Sequence, residues 1–277
     1  MGPEGYAGAG AGHRPPLAVR DGGDGLRPLP GPVRLRLSLT KPRAILVDLD
    51  DTILAAGQRP QVLLTIARDF AAELAPHPPE DVAERLEAAL ELFWSDPERH
   101  KIARFGIAEA RRSVVRDTFG ELPPLTLELA DRFAERFTAA REAMTVCFPG
   151  ALEGLQALRD HGVRLALITN GSSATQRAKI ERFDLAGFFD HIQIEGEVGF
   201  GKPEPRAYHH AMAALGAQPH ETWIVGDHLE WEVRTPQGLG LTAVWCDAFA
   251  RGLPPGAACT PDHIVVSLSE LPGLFAR

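Results

Sequence analysis

An apolar run that ends in carboxylates dictates where this chain can place its chemistry. Ala44-Ile45-Leu46-Val47 leads directly into Asp48-Leu49-Asp50-Asp51-Thr52. A short run rich in Ile, Leu and Val reads as a strand buried on both faces, the pattern of a parallel sheet. The acids that follow cannot continue into the interior unpaired, because burying an isolated carboxylate is very costly. They belong at the open end of the strand, beyond the carboxyl edge where open parallel sheets bind ligands. Asp48 and Asp50 alternate about Leu49, so both face one cleft if strand geometry persists. Such a pair can hold a hard cation and still divide nucleophilic and acid–base roles. Asp and Thr after a strand also serve as turn and capping residues, so the rest of the chain has to decide between the two readings.

Residues 1–32 are rich in Gly and Pro and bury too little apolar surface to offset their ordering entropy, so they are expected to be a disordered extension. They lack the apolar core of a secretory signal. Val33 to Leu39 alternates with period two and reads as an added edge strand or a lead-in to the first core strand. From about residue 59 the pattern becomes helical. Val62, Ile66, Phe70 and Leu74 line one face, Val82, Leu86 and Leu90 another, and Leu125, Leu129, Phe133 and Phe137 a third. With breaks at the prolines, this predicts four helices over 59–75, 79–95, 98–119 and 124–143. They form a helical insertion with a small core of its own. Arg99, His100, Lys101 and Arg104 read as a solvated helix start, and Arg111-Arg112 as an exposed helix face.

The α/β rhythm resumes near Pro149. Strands are expected at 163–168, 191–194, 222–225, 241–245 and 263–266, with helices between them over about 173–183 and 205–215. Strands alternating with helices specify an α/β fold, a Rossmann-like doubly wound parallel sheet, here with an inserted α-helical cap domain. The expected boundaries are 33–53 and 146–277 for the core and 54–145 for the insertion. The formal charge of −8 in 277 residues argues against a nucleic-acid partner. No apolar run reaches the ~18 residues of a membrane span. Cys147, Cys246 and Cys259 are scattered and give neither a disulfide framework nor a metal spacing, which fits a reducing, cytoplasmic setting.

Functional-looking residues stand at successive strand ends: Asp48 and Asp50, then Thr169-Asn170-Gly171, Lys202 in a Gly-flanked loop, and Asp227 after Gly226. Together they are equipped for phosphoryl transfer. Asp48 can attack phosphorus, and Asp50 can protonate the leaving oxygen and later activate water. Thr169 and the backbone N–H groups of Asn170 and Gly171 can bind phosphoryl oxygens. Lys202 can offset the crowded negative charge, and Asp227 can complete a Mg²⁺ site, since that ion favours carboxylate, phosphate and water oxygens.

Asp48-Leu49-Asp50-Asp51-Thr52, Thr169-Asn170-Gly171, Gly201-Lys202-Pro203 and Gly226-Asp227 resemble, in order and spacing, the four motifs of the haloacid dehalogenase superfamily, over about residues 43 to 270. The insertion resembles the helical cap of its first structural subclass. The resemblance implies a magnesium-dependent phosphatase acting on a small phosphorylated metabolite through an aspartyl-phosphate. Asp48 is then nucleophile and metal ligand, and Asp50 acid–base with its carbonyl on the metal. Thr169 and Lys202 bind phosphate, and Asp227 binds the metal. After Gly226-Asp227 the chain departs from the pattern: His228 replaces a small hydroxyl residue, and Glu232 stands where a second Asp is usual. Glu232 is therefore a candidate metal ligand, through water, with Glu230 competing. A phosphomutase, a haloacid dehalogenase and a catalytically impaired binding protein remain open alternatives. The polar Asp50 stands against the dehalogenase, whose motif resembles Asp-x-aromatic.

Overall fold

The computed structural model describes residues 41–275, all within one unit, Ser38–Arg277. The expectations for 1–32 and for Val33 to Leu39 lie outside the described residues. In chain order the strands are β1 Ala44–Val47, β2 Leu54–Ala55, β3 Val146–Cys147, β4 Arg164–Thr169, β5 His191–Ile194, β6 Thr222–Gly226, β7 Thr242–Cys246 and β8 His263–Val265. Helices α1 Arg59–Asp69, α2 Ala71–Leu74, α3 Pro79–Ser95, α4 Pro97–Ala103, α5 Ile107–Gly120 and α6 Leu127–Ala143 fall between β2 and β3. The remainder are α7 Ala151–Asp160, α8 Ser173–Arg182, α9 Glu195–Val198, α10 Pro205–Ala214, a π-helical turn Leu229–Arg234, α11 Thr235–Gly238 and α12 Pro272–Phe275.

Among the described residues the main sheet has the order β5-β4-β1-β6-β7-β8, and every pairing in it is parallel. Alternation along the strands explains the layers. Ile45 and Val47 join Leu165, Leu167, Val225 and Val244 on one face, under Leu155 and Leu158 of α7 and Ile180 of α8. Ala44 and Leu46 join Ala166, Ile168, Ile224 and Ala243 on the other, under Ala207, Tyr208 and Met212 of α10. Both faces are covered, so the central strands are apolar throughout, as a doubly wound sheet requires. Val47 lies opposite Leu167 and Val225. This register brings the residues after β1, β4 and β6 out at one edge of the sheet.

The helices between β2 and β3 surround a second apolar core. Val62, Leu63 and Ile66 of α1 meet Leu86 and Leu90 of α3, Val115 and Phe119 of α5, and Phe133 and Phe137 of α6. The ring of Phe133 lies 5.5 Å from both Phe70 and Phe119. β2 and β3 pair antiparallel where the chain leaves for these helices and returns, with Leu54 opposite Cys147. Two-residue strands leave no periodicity to read, and none was expected there. Among the described residues no helix is long and apolar enough to cross a membrane.

Two expected helices prove to be broken. The first divides at Phe70 (φ −97°, ψ 11°), which turns its ring onto Phe133. The third divides into α4 and α5 around Arg104-Phe105-Gly106, with Gly106 outside helical geometry at φ −137°, ψ 57°. Glycine is a poor helix former, and the break there turns Arg104 toward the sheet edge. The fourth begins three residues later than expected because Thr126 caps it: its Oγ1 accepts the Leu129 N–H at 3.2 Å.

Phe133→Ala is expected to destabilise the protein by about 3–5 kcal/mol, the range for emptying a buried aromatic site. Urea denaturation of both forms checks this; a loss well below that range would show that the helices close around the vacated space.

Candidate active site

Lys202 stands at the centre of the sheet edge. Its ammonium is buried (1% side-chain exposure) and lies 2.5 Å from Asp48 Oδ1 and 2.7 Å from Glu232 Oε1. The Glu232 contact is ionic rather than a well-aligned hydrogen bond, since Oε1 has no hydrogen-bond partner of good geometry. Glu232 Oε2 accepts the His228 N–H at 3.0 Å. Asn170 and Lys202 grip each other's backbone: Lys202 N–H donates to Asn170 Oδ1, and Asn170 Nδ2 donates to the Lys202 carbonyl, both at 2.8 Å. Two glycines make room for the approach. A Cβ at Gly226 would lie 2.9 Å from Asp48 Cβ, and one at Gly201 would lie 2.7 Å from Glu195 Cδ. The π-helical turn is anchored from the side, where Tyr208 Oη donates to the Trp231 carbonyl at 2.6 Å.

Negative charge exceeds positive here. Asp48, Asp50, Asp51, Asp227 and Glu232 crowd around Lys202 and Lys179. Burial pushes the Asp48 carboxyl above the usual range, although Lys202 pulls it back. Burial, then the charges of Asp48 and Glu232, raise Asp227 well above the usual range. Burial takes Glu232 up to about 7 and Asp51 up to about 6. Burial works against the Lys202 charge, but Asp48 and Glu232 outweigh it and hold the ammonium above the ordinary lysine range. Burial is the leading cause of each carboxyl shift, and a neighbouring acid adds to it in every case.

Asp48 and Asp227 line the cavity at this edge, and Glu232 does not. Among the described residues no three His, Cys, Asp or Glu side chains converge as a ready-made metal cluster. Two cavity-facing carboxylates still fit Mg²⁺, which keeps several waters and uses few protein ligands. Glu232, expected to act on the metal through water, lies off the cavity wall. That side chain is wholly buried and is occupied by Lys202 and the His228 N–H, so it holds the lysine instead of facing the cavity.

Asp50 lines the same cavity, but its carboxylate is turned to Lys179 Nζ (2.7 and 2.8 Å) and Gln176 Nε2 (3.0 Å) on α8. Gln176 also donates to Thr169 Oγ1 at 2.5 Å. The Gly171 N–H was expected to face a phosphoryl oxygen. Instead it donates to Glu195 Oε2 at 3.0 Å. Glu195 also pairs with Arg104, and both side chains are buried. The guanidinium of Arg104 lies 5.8 Å from the ring centroid of Trp231. Arg104 thus ties the break between α4 and α5 to the sheet edge, and Lys101 adds a second contact, 3.4 Å from Glu204.

Comparison with known proteins bears on this arrangement. The family model for haloacid dehalogenase-like hydrolases matches residues 42–240. The chain belongs to this family. It is 36% identical to the phosphoserine phosphatase of Thermus thermophilus over 179 residues, 64% of this chain. The chain spans under two thirds of the length of several curated relatives it matches, 65% in this case. Among solved structures it is similar to a 2-haloacid dehalogenase from Pseudomonas syringae (26% identity, TM-score 0.55, covering 86% of this chain and 99% of that one). It also shares the fold of the magnesium-bound HAD hydrolase YfnB of Bacillus subtilis (21% identity, TM-score 0.65, covering 86% and 100%).

In this haloacid dehalogenase-like hydrolase the helical segment supplies more of the cavity than its sequence suggested. His100 and Arg104 line it and are not a solvated helix start; Arg111 lines it and is not on an exposed face. His100 packs edge-on against Trp94 and Trp231, at 5.2 and 5.3 Å. Three further residues carried a readable signal. Gln176 and Lys179 are three apart on the helix after β4 and so share the face toward β1. Glu195 directly follows β5, at the same strand-end position as the motif acids.

Glu195→Ala leaves Arg104 buried without its partner and is expected to cost about 3–5 kcal/mol. Replacing both residues with apolar ones should recover much of that loss in the same denaturation assay; no recovery would mean that Glu195 acts mainly through Gly171. A second expectation concerns His100. Burial, then the Arg104 charge, hold its pKa below the ordinary 6.5. The unfolded chain then takes up a proton that the folded chain refuses. The stability from this group is complete above about 6.5 and is lost as pH falls through the lowered folded value. The stability of the native protein relative to His100→Phe should therefore fall between pH 7 and pH 5. Denaturation series at matched ionic strength check the sign.

Proposed function

We propose that this protein is a Mg²⁺-dependent phosphatase that hydrolyses a small phosphorylated metabolite through an aspartyl-phosphate on Asp48. The observation that carries this reading is the Asp48 carboxylate. It sits at the end of the central strand, gripped on Oδ1 by a buried ammonium, with Asp227 beside it at the cavity. The phosphatase relative and the magnesium-bound structural neighbour lend support.

Asp48, Asp227 and the Asp50 carbonyl would hold Mg²⁺, which when bound offsets the crowded negative charge and polarises the phosphoryl group. The Asp48 oxygen free of Lys202 attacks phosphorus. The bond from phosphorus to the leaving oxygen breaks, and that oxygen takes the proton of Asp50. In the second half, Asp50 removes a proton from water, the water oxygen attacks phosphorus, inorganic phosphate departs and Asp48 is restored. Thr169 Oγ1 donates to a phosphoryl oxygen. Asp50 has to leave Lys179 and Gln176 to do this work, and an arriving phosphoryl group offers both of them other acceptors. Residues 54–145 act as a cap domain that shields the reaction from bulk water.

Likeness to a solved dehalogenase gives a second reading, carbon–halogen hydrolysis at the same Asp48. The two separate cleanly. The phosphatase releases inorganic phosphate from an aryl phosphate with Mg²⁺ and stops in EDTA, whereas the dehalogenase releases chloride from 2-chloropropionate in EDTA. Asp48→Asn is expected to lower phosphate release by about 10⁴-fold or more, the scale of losing a covalent nucleophile. Activity that survives this substitution would sink the assigned nucleophile.

A further inference from the structure

The helical side of the cavity is cationic in a way the proposed hydrolysis does not use. Arg59 opens α1, Arg111 lies in α5 and Arg141 ends α6, and all three line the ≈ 360 Å³ cavity that holds Asp48 and Lys202. Arg59 is already matched, by a two-pronged pair with Glu87 at 2.8 and 2.6 Å. The other two are not. Arg141 donates one Nη1 to the Gly57 carbonyl at 2.7 Å, and its Nε is buried with no partner. Arg111 is half-buried with its guanidinium 5.4 Å from the Phe137 ring centroid, and among the described residues no acid lies within ion-pair distance of it or of Arg141.

These charges also repel one another. Burial, then Arg141, bring Arg111 down to about 10, with Arg59 adding to the effect and Glu142 opposing it. Burial likewise lowers Arg141, against the pull of Asp51. Two half-buried guanidiniums beside apolar Leu90, Ile107 and Phe137 have lost part of their water without gaining an ion-pair contact. An anion that enters between them relieves both costs, and the planar guanidinium fork suits paired oxygens. The scissile phosphoryl group cannot be that anion, because it is taken at the sheet edge by Asp48, Thr169 and Lys202.

We infer that Arg111 and Arg141 form a second anion subsite, which binds an acidic group at the far end of the substrate from the scissile phosphate. This rests on the phosphatase reading and narrows it to a class: phosphate esters that carry a second anionic group, in preference to neutral phosphorylated alcohols. Arg111 and Arg141 act in binding and orientation, and the reacting bonds are those described above.

The test compares acid and neutral esters in pairs. The purified protein is assayed with 2-phosphoglycolate, 3-phosphooxypropanoate and 4-phosphooxybutanoate, each against the neutral alkyl phosphate of equal length. Propanediol bisphosphate against its monophosphate tells a second phosphate from a carboxylate. For at least one pair the acid should have a kcat/KM at least tenfold higher. Arg111→Gln and Arg141→Gln should each remove most of that ratio, chiefly through KM; a mere structural fault lowers both members of a pair alike. Equal values in every pair, or a ratio that survives both substitutions together, overturn the subsite.

A second readout needs no turnover. Succinate at constant ionic strength should raise the melting temperature of the native protein and not of Arg111→Gln/Arg141→Gln. If no phosphate ester is cleaved but this difference holds, the phosphatase reading fails and the subsite stands. If esters are cleaved but succinate has no effect and no pair discriminates, the subsite fails and the phosphatase reading stands.

Discussion

Everything at the sheet edge depends on one buried ammonium. Lys202 is the cation that lets Asp48 and Glu232 share an interior where carboxylates otherwise could not stay ionised. Around it the backbone is held from several sides. Asn170 clamps it from the end of β4, Gly201 and Gly226 let the loops approach, and Tyr208 fixes the turn that delivers Glu232. Lys202 and Lys179 together do not balance the five acids gathered there. Burial raises the Asp48, Asp227 and Glu232 carboxyls, and a neighbouring acid raises each one further.

The helical segment answers the acidic edge with charge of the opposite sign. Arg104 crosses to Glu195, which in turn holds the Gly171 N–H, so one buried pair links the break between α4 and α5 to the loop after β4. Any movement of these helices away from the sheet would expose or separate that pair. Arg111 and Arg141 face the same cavity without such partners, which is why they speak to substrate and Arg104 to architecture. The distinction comes from partners, not residue type, since all three are arginines on or beside neighbouring helices.

Much of the core was legible because it rests on local rules. Apolar runs of four to six residues gave the strands of the main sheet to within about a residue, and four-residue spacing marked the faces of the inserted helices. The motif residues at strand ends converged because parallel register carries Val47, Leu167 and Val225 to one edge. Where local pattern misled, a distant contact had overruled it. Gly106 looked tolerable inside a helix, but the break there brings Arg104 to Glu195, 91 residues away. Arg111 looked like one of two exposed arginines, but it packs over Phe137 and lines the cavity.

The sequence by itself determined the sheet, the helical insertion and the set of acids, threonine and lysine at successive strand ends, because those follow from periodicity, turn chemistry and the cost of burying charge. Only the tertiary structure decided the partners. It turned Glu232 to Lys202 and away from the cavity, Asp50 to Lys179, the Gly171 N–H to Glu195, and two arginines toward the cavity without an ion-pair partner. Pairing between charges depends on distances of a few ångströms between residues tens to more than a hundred positions apart, and no spacing along the chain encodes it.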